Sequence, residues 1–175
     1  MTGGDGSDTF TIDNAADTVT DAAADGDLDI VNIGTFTTAP VTAVTFDFSG
    51  AGDGVENINI LNAHLINVTA NGMANIINGN ALANVINAGA GIDTINAGGG
   101  NDTITGGAGK DTVITGTGND KIVFNAGVAD TVAAAASIAG VDKYTDLVLN
   151  AGTADTIDLT VAVANVGCQG NRGIE

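Results

Sequence analysis

Residues 88–123 read AGAGIDTIN, AGGGNDTIT, GGAGKDTVI, TGTGNDKIV when written in rows of nine: Ala88–Asn96, Ala97–Thr105, Gly106–Ile114 and Thr115–Val123. The second and fourth columns are always Gly, the sixth always Asp, and the eighth always Ile or Val. A fixed period of this kind marks a repeat architecture. Two rows upstream keep the frame with asparagine in the sixth column: Ala70–Asn78 (ANGMANIIN, Asn75) and Gly79–Asn87 (GNALANVIN, Asn84). A further copy stands at Gly3–Thr11 (GGDGSDTFT, with Asp8 in the sixth column), and a degenerate one follows it with Asp17 nine residues after Asp8.

The columns dictate a shape. Glycines in columns two and four permit positive φ, so the first six residues form a tight loop. The last three, such as Thr94-Ile95-Asn96, alternate polar, apolar, polar, which is a short strand with one buried face. Loop plus strand is half a coil. Two units return the chain to its starting point roughly 4.8 Å further along. Ile77, Ile95 and Val113 are then expected to form one inward ladder, and Ile86, Ile104 and Ile122 the facing one. Asp93 falls against Asp111 on one edge and Asp102 against Asp120 on the other. Two carboxylates ~4–5 Å apart repel by roughly 4 kcal/mol at an effective dielectric of 20. A divalent cation between successive loops removes that repulsion. Calcium suits the donor set, because it accepts six to eight oxygens, backbone carbonyls included. Zinc requires His or Cys, and these loops have neither.

The nonapeptide resembles the unit of the repeats-in-toxin (RTX) family, G-G-x-G-x-D-x-U-x with U apolar. The resemblance is strongest over 88–123, extends to 70–87 and 3–11, and fades elsewhere. It implies a parallel β-roll with calcium between the loops. Carried over by position, the ligands are the side chains of Asp93, Asp102, Asp111 and Asp120, with Asp8 in the N-terminal copy. Loop carbonyls such as those of Gly89, Gly91, Gly98, Gly100, Gly107, Gly109, Gly116 and Gly118 complete the set. Asn75 and Asn84 are neutral, so the edges that pair them with Asp93 and Asp102 are expected to bind weakly or not at all. Asp130 follows Asp120 at a spacing of ten, a slip that interrupts the series.

Composition agrees with this reading. The chain has 175 residues, 21 acids against 4 bases, and a net charge of −17. A nucleic-acid footprint needs a basic surface, so nucleic acid is excluded as a partner. Anionic lipid is disfavoured for the same reason. All but two of the acids, Glu56 and Glu175, are aspartate; short carboxylates at fixed backbone positions suit metal loops. Aromatics are 3% while hydrophobic residues are 44%, so a thin core of Ile, Val and Ala is expected. No stretch of about 18 apolar residues exists to insert in a membrane. The opening residues do not show the basic-then-apolar pattern of a cleavable signal. Cys168 stands alone, which rules out an internal disulfide.

The expected architecture is all-β: a parallel β-roll or β-solenoid of nonapeptide repeats, with irregular N-terminal turns and a non-repetitive C-terminal cap. Residues 1–60 read as the irregular solenoid, with strands at Ile30–Ile33, Val44–Phe48 and Asn57–Ile60. The roll covers 61–125 and the cap 126–166, with a helix at Thr131–Ala139 and strands at Tyr144–Leu149 and Thr156–Leu159. The tail 167–175 carries the only Cys and the only Arg; a foreign or frameshifted addition and an ordinary divergent terminus are both open. The whole reads as a piece of a longer protein.

Rival motifs fail. Asp25-x-Asp27-x-Asp29 starts like an EF-hand, but Ile30 and Phe36 stand where Gly and Glu are required; Asp27 or Asp29 remains a candidate to bind calcium with Asp8. Gly109-Lys110 is not a phosphate loop, since Ile104 and Asp111 occupy obligatory Gly and Ser/Thr positions. His64 is the only histidine and belongs to no catalytic constellation. Ice binding would need a flat Thr/Asn rank, which columns three and five do not provide. The expected role is therefore structural and not enzymatic: a secreted, calcium-binding module of a bacterial cell-surface or extracellular assembly, such as a surface layer, fibre or adhesin. Its expected partners are calcium ions and either itself or neighbouring domains of a longer surface protein. The alternative is the C-terminal RTX secretion and folding module of an exoenzyme or toxin.

Overall fold

A computed structural model describes residues 1–21, 27–36, 42–50, 54–61, 63–123, 143–145 and 156–158. The expected helix at Thr131–Ala139, Asp130 and the tail lie outside these residues. Every regular element described is a strand, and among the described residues no helix is long and apolar enough to cross a membrane. The strands are β1 (Thr9–Ile12), β2 (Asp29–Ile33), β3 (Val44–Asp47), β4 (Val55–Ile60), β5 (Ile66–Thr69), β6 (Ile76–Asn78), β7 (Val85–Asn87) and β8 (Ala90–Gly91). They continue as β9 (Thr94–Asn96), β10 (Thr103–Thr105), β11 (Ala108–Gly109), β12 (Thr112–Ile114), β13 (Lys121–Val123), β14 (Lys143–Thr145) and β15 (Thr156–Asp158).

The order of the strands is that of a solenoid. One parallel sheet runs β1-β2-β4-β6-β9-β12-β14, and the facing one runs β3-β5-β7-β10-β13-β15. Consecutive neighbours within each sheet are one coil apart in sequence. In the regular part that spacing is eighteen: the Asn75 N–H meets Asp93, and the Asp102 N–H meets Asp120, each across a separation of 18 residues. Two nonapeptides therefore make one coil, as the column pattern requires.

The inward ladders carry the core. Phe10, Val31, Ile58, Ile77, Ile95 and Val113 are successive register partners in the first sheet. Phe46, Val68, Ile86, Ile104 and Ile122 are successive partners in the second. The isoleucines and valines on these ladders are almost completely buried. Each three-residue strand points one side chain inward, so a branched aliphatic fills its share of the core and a large ring would not fit repeatedly. Fully burying one such side chain stabilises the fold by about 1.5–3 kcal/mol. The larger Phe10, Phe36, Phe46 and Phe48 are confined to the N-terminal coils, where strands are longer and loops irregular. His64 stacks on Phe36 there, with ring centroids 5.4 Å apart, which gives the single histidine a packing role.

The N-terminal coils belong to the same two stacks, with residues added in the loops. The Asp8 N–H meets Asp29 across 21 residues, and the Asp29 N–H meets Glu56 across 27. One added residue, Glu56, lies inside β4, where the register shifts between Asp29 and Ile30; beyond it the ladders stay aligned while the nonapeptide frame is lost. On the outer face Asn59 Nδ2 donates to Asn32 Oδ1 (3.0 Å) and Asn78 Nδ2 to Asn59 Oδ1 (2.8 Å), a side-chain ladder that ties three coils together. At the C-terminal side β14 and β15 add in parallel to β12 and β13. The expected strands near Tyr144 and Ile157 thus prolong the stacks.

Candidate metal centre

The loops place each sixth-column residue at a corner where the chain enters a strand. The Asn84 N–H donates to Asp102 Oδ1 (2.7 Å), and the Asp102 N–H donates to Asp120 Oδ1 (2.8 Å). On the other edge the Asn75 N–H donates to Asp93 Oδ1 (2.8 Å), and the Asp93 N–H donates to Asp111 Oδ1 (2.9 Å). The expected pairs, Asp93 with Asp111 and Asp102 with Asp120, are therefore brought together. All four aspartates are at most 1% exposed. One carboxylate oxygen of each is thus fixed by the backbone of the neighbouring coil. The other, Oδ2, is buried and accepts no hydrogen bond.

Buried polar oxygens of this kind are rare in native interiors, and a bound ion is one of the few explanations. The clearest electrostatic signature is at Asp102. Burial pushes its carboxyl up to about 7 from an ordinary 3.8; the charge of Asp120 adds to the rise and the Asn84 N–H opposes it. The corner is unfavourable for a bare carboxylate and favourable for one facing a cation.

Asparagine at the same corner behaves differently. Asn84 Nδ2 donates to the Ile66 carbonyl (2.7 Å) and Asn84 Oδ1 accepts from the Asn80 N–H (3.2 Å), so the protein satisfies the amide itself. Asn75 Nδ2 donates to the Val55 carbonyl (2.8 Å), while its Oδ1 is buried without a hydrogen bond. Both asparagines are 1% exposed and are held by hydrogen bonds at the corners.

The glycine columns provide the close approach of successive loops. All eight glycines of columns two and four in 88–123 have φ between +95° and +148°. Gly107 shows the demand: φ is +101°, and a Cβ would sit 1.8 Å from the Gly89 carbonyl oxygen. The carbonyls of Gly89 and Gly98 each accept one backbone N–H, from Ala108 (2.9 Å) and Thr117 (3.0 Å). A carbonyl has a second lone pair. In the two upstream rows, where Asn71-x-Met73 and Asn80-x-Leu82 replace Gly-x-Gly, the asparagine side chain closes the turn by accepting the N–H two residues on, at 2.9 Å in both. The column pattern gave no sign of that substitution's chemistry.

The RTX calcium-binding nonapeptide repeat model matches in four copies, across residues 69–103, 78–113 and 87–122. The chain carries RTX repeats. These repeats bind calcium ions, and the RTX corners fit such an ion: a donor set of carboxylate and carbonyl oxygens only, with buried oxygens held ready. Calcium accepts that chemistry with loose geometry. No curated protein matches the chain.

The structure also places acids that the frame missed. Asp17, in the sixth column of the degenerate copy, accepts the Asp13 and Asn14 N–H groups of its own loop. The residues that join Asp8 are Asp29 and Asp21. The irregular loop lengths hid both from a nine-residue count, although Asp29 was already marked by its alternating acidic run.

Proposed function

We propose that the chain is a secreted, calcium-folded structural module of a bacterial cell-surface or extracellular assembly: a surface layer, fibre or adhesin. The observation that carries this reading is the Asp102 corner, a carboxylate stacked on the Asp120 carboxylate of the next coil, fully buried, with an oxygen that no protein group satisfies. In the RTX array Asp102 and Asp120 would hold calcium on one edge and Asp93 and Asp111 on the other, together with carbonyls of the glycine columns. Bound calcium supplies positive charge between carboxylates. The residues supply the rest: backbone N–H groups orient each carboxylate, the glycines let the loops approach, and the apolar ladders keep water from the inner side.

Calcium that binds the folded chain and not the unfolded one stabilises it by mass action. Weak sites fill at extracellular millimolar calcium and stay empty in a cytosol, so the chain would fold after export into a rigid rod. The high net negative charge supports this order of events, because self-repulsion disfavours the compact state until cations arrive. The Ala/Thr/Asn/Gly-rich composition, with 4 basic residues in the whole chain, suits repetitive assembly with copies of itself or with neighbouring domains of a longer protein.

Chelation with EGTA is expected to abolish the β-sheet circular dichroism, and calcium to restore it where equimolar magnesium does not. A sheet spectrum indifferent to chelation would remove the basis for calcium-coupled folding. Further repeats in the flanking gene sequence would support the surface assembly; a protease or lipase motif would assign the module to an exoenzyme instead.

A further inference from the structure

The first two coils bring three carboxylates together outside the matched repeats. One oxygen from each of Asp8, Asp21 and Asp29 lies within 4.8 Å of the others. Asp21 and Asp29 are 3% and 1% exposed. Their Oδ1 atoms are pinned: Asp21 Oδ1 accepts the Gly4 N–H (3.1 Å) and Asp29 Oδ1 accepts the Asp8 N–H (2.7 Å). Their Oδ2 atoms are buried and accept no hydrogen bond. Asp29 is further fixed from below, where its own N–H donates to Glu56 Oε2 (2.7 Å). We propose that Asp8, Asp21 and Asp29 form a separate calcium site, built by the irregular N-terminal coils and independent of the nonapeptide array.

Its construction differs from that of the array. The Gly3 N–H donates to the Thr20 carbonyl, so Asp21 stacks on Gly3 at the head of the loop. The array has Ala88, Ala97, Gly106 and Thr115 at that place. Asp21 precedes Asp29 by eight residues, where the first and sixth columns of the array are five apart. Gly3 is what leaves room: a Cβ there would sit 2.0 Å from Asp21 Oδ1 and 2.5 Å from Asp8 Oδ2. The site thus gathers three carboxylates where each array pair gathers two.

All four basic residues of the sequence, Lys110, Lys121, Lys143 and Arg172, follow position 109. With oxygen donors only and three negative charges, a hard cation of calcium's size and tolerance is the fitting ligand.

The test is calcium stoichiometry on the whole chain by isothermal titration. Asp21→Asn/Asp29→Asn should bind one calcium fewer than the parent, with the remaining sites unchanged. Asp102→Asn/Asp120→Asn should lose calcium from the array and keep this site, so failure here and failure of the array reading are told apart. Unchanged stoichiometry and affinity in Asp21→Asn/Asp29→Asn would overturn the proposal. If that variant does not fold, the parent protein still decides: manganese titrated into the calcium-loaded chain should broaden the NMR amide signals of Gly4 and Asp8. Sharp Gly4 and Asp8 signals while the Asp102 amide broadens would overturn it equally.

Discussion

Asp102→Asn should change stability in opposite directions with and without calcium. The side chain is 1% exposed, its Oδ1 accepts the Asn84 N–H at 2.7 Å, and its Oδ2 is buried with no hydrogen bond. Asparagine has the same shape and keeps an oxygen for the Asn84 N–H, but carries no charge. In the metal-free fold near neutral pH the carboxyl must either ionise where burial disfavours it or take up a proton that the unfolded chain would not hold. Raising it from 3.8 to about 7 opposes folding by at most about 4 kcal/mol, at 1.36 kcal/mol per decade. Screening at a corner of the solenoid reduces this to ~2 kcal/mol. Placing the new amide N–H₂ costs about 1 kcal/mol if it finds only water or a shared carbonyl. The variant should therefore stabilise the metal-free fold by about 1 kcal/mol or more on these terms. In millimolar calcium the sign reverses, because a charged ligand is gone, and calcium affinity should fall on the order of tenfold. Urea unfolding followed by sheet circular dichroism, in EGTA with an osmolyte and again in calcium, reads both effects. Asp13→Asn, at an exposed position, serves as the control. Equal destabilisation of Asp102→Asn under both conditions would refute the reasoning, because it would make the carboxylate a stabilising group in its own right.

The metal-free protein should gain stability on acidification. A carboxyl raised in the fold favours folding fully below its unfolded value and loses that contribution as pH rises through the folded one. For Asp102 the window runs from about 4 to about 7, and the upward-shifted Asp29 acts in the same direction. Asp47, held low first by the Ser49 hydroxyl and then by the Ser49 N–H, opposes the trend only at the acid end. Sheet signal in EGTA should thus rise between pH 7 and pH 4; a fall across that range would contradict the placement of these carboxyls. Gly107→Ala should destabilise the calcium-loaded fold by about 3 kcal/mol, since φ is +101° and the added Cβ meets the Gly89 carbonyl oxygen at 1.8 Å. A urea midpoint within error of the parent would show that the loops are looser than described.

The regular part of the fold was legible because period, column and register coincide. A nine-residue unit with one inward branched residue permits only one stacking, and Ile77-Ile95-Val113 and Ile86-Ile104-Ile122 are the partners it dictates. The aspartate pairs followed from the same register. The N-terminal coils were legible as irregular solenoid turns, but the register of their corners was not. Separations of 21 and 27 residues between stacked corners defeat a periodic count, so Asp21 and Glu56 stayed hidden. The particular partners of Asn75 and Asn84 were likewise closed to column reading. An amide and a carboxylate are near-isosteres in a pattern, and they differ only in whether a carbonyl such as that of Ile66 lies within reach.

The most direct measurement is anomalous X-ray scattering from crystals grown in calcium. The account predicts calcium peaks along both loop edges, with one bound by Asp93 and Asp111 and another by Asp102 and Asp120, each metal–oxygen distance about 2.3–2.6 Å. A folded solenoid with both edges free of anomalous density at saturating calcium would contradict it.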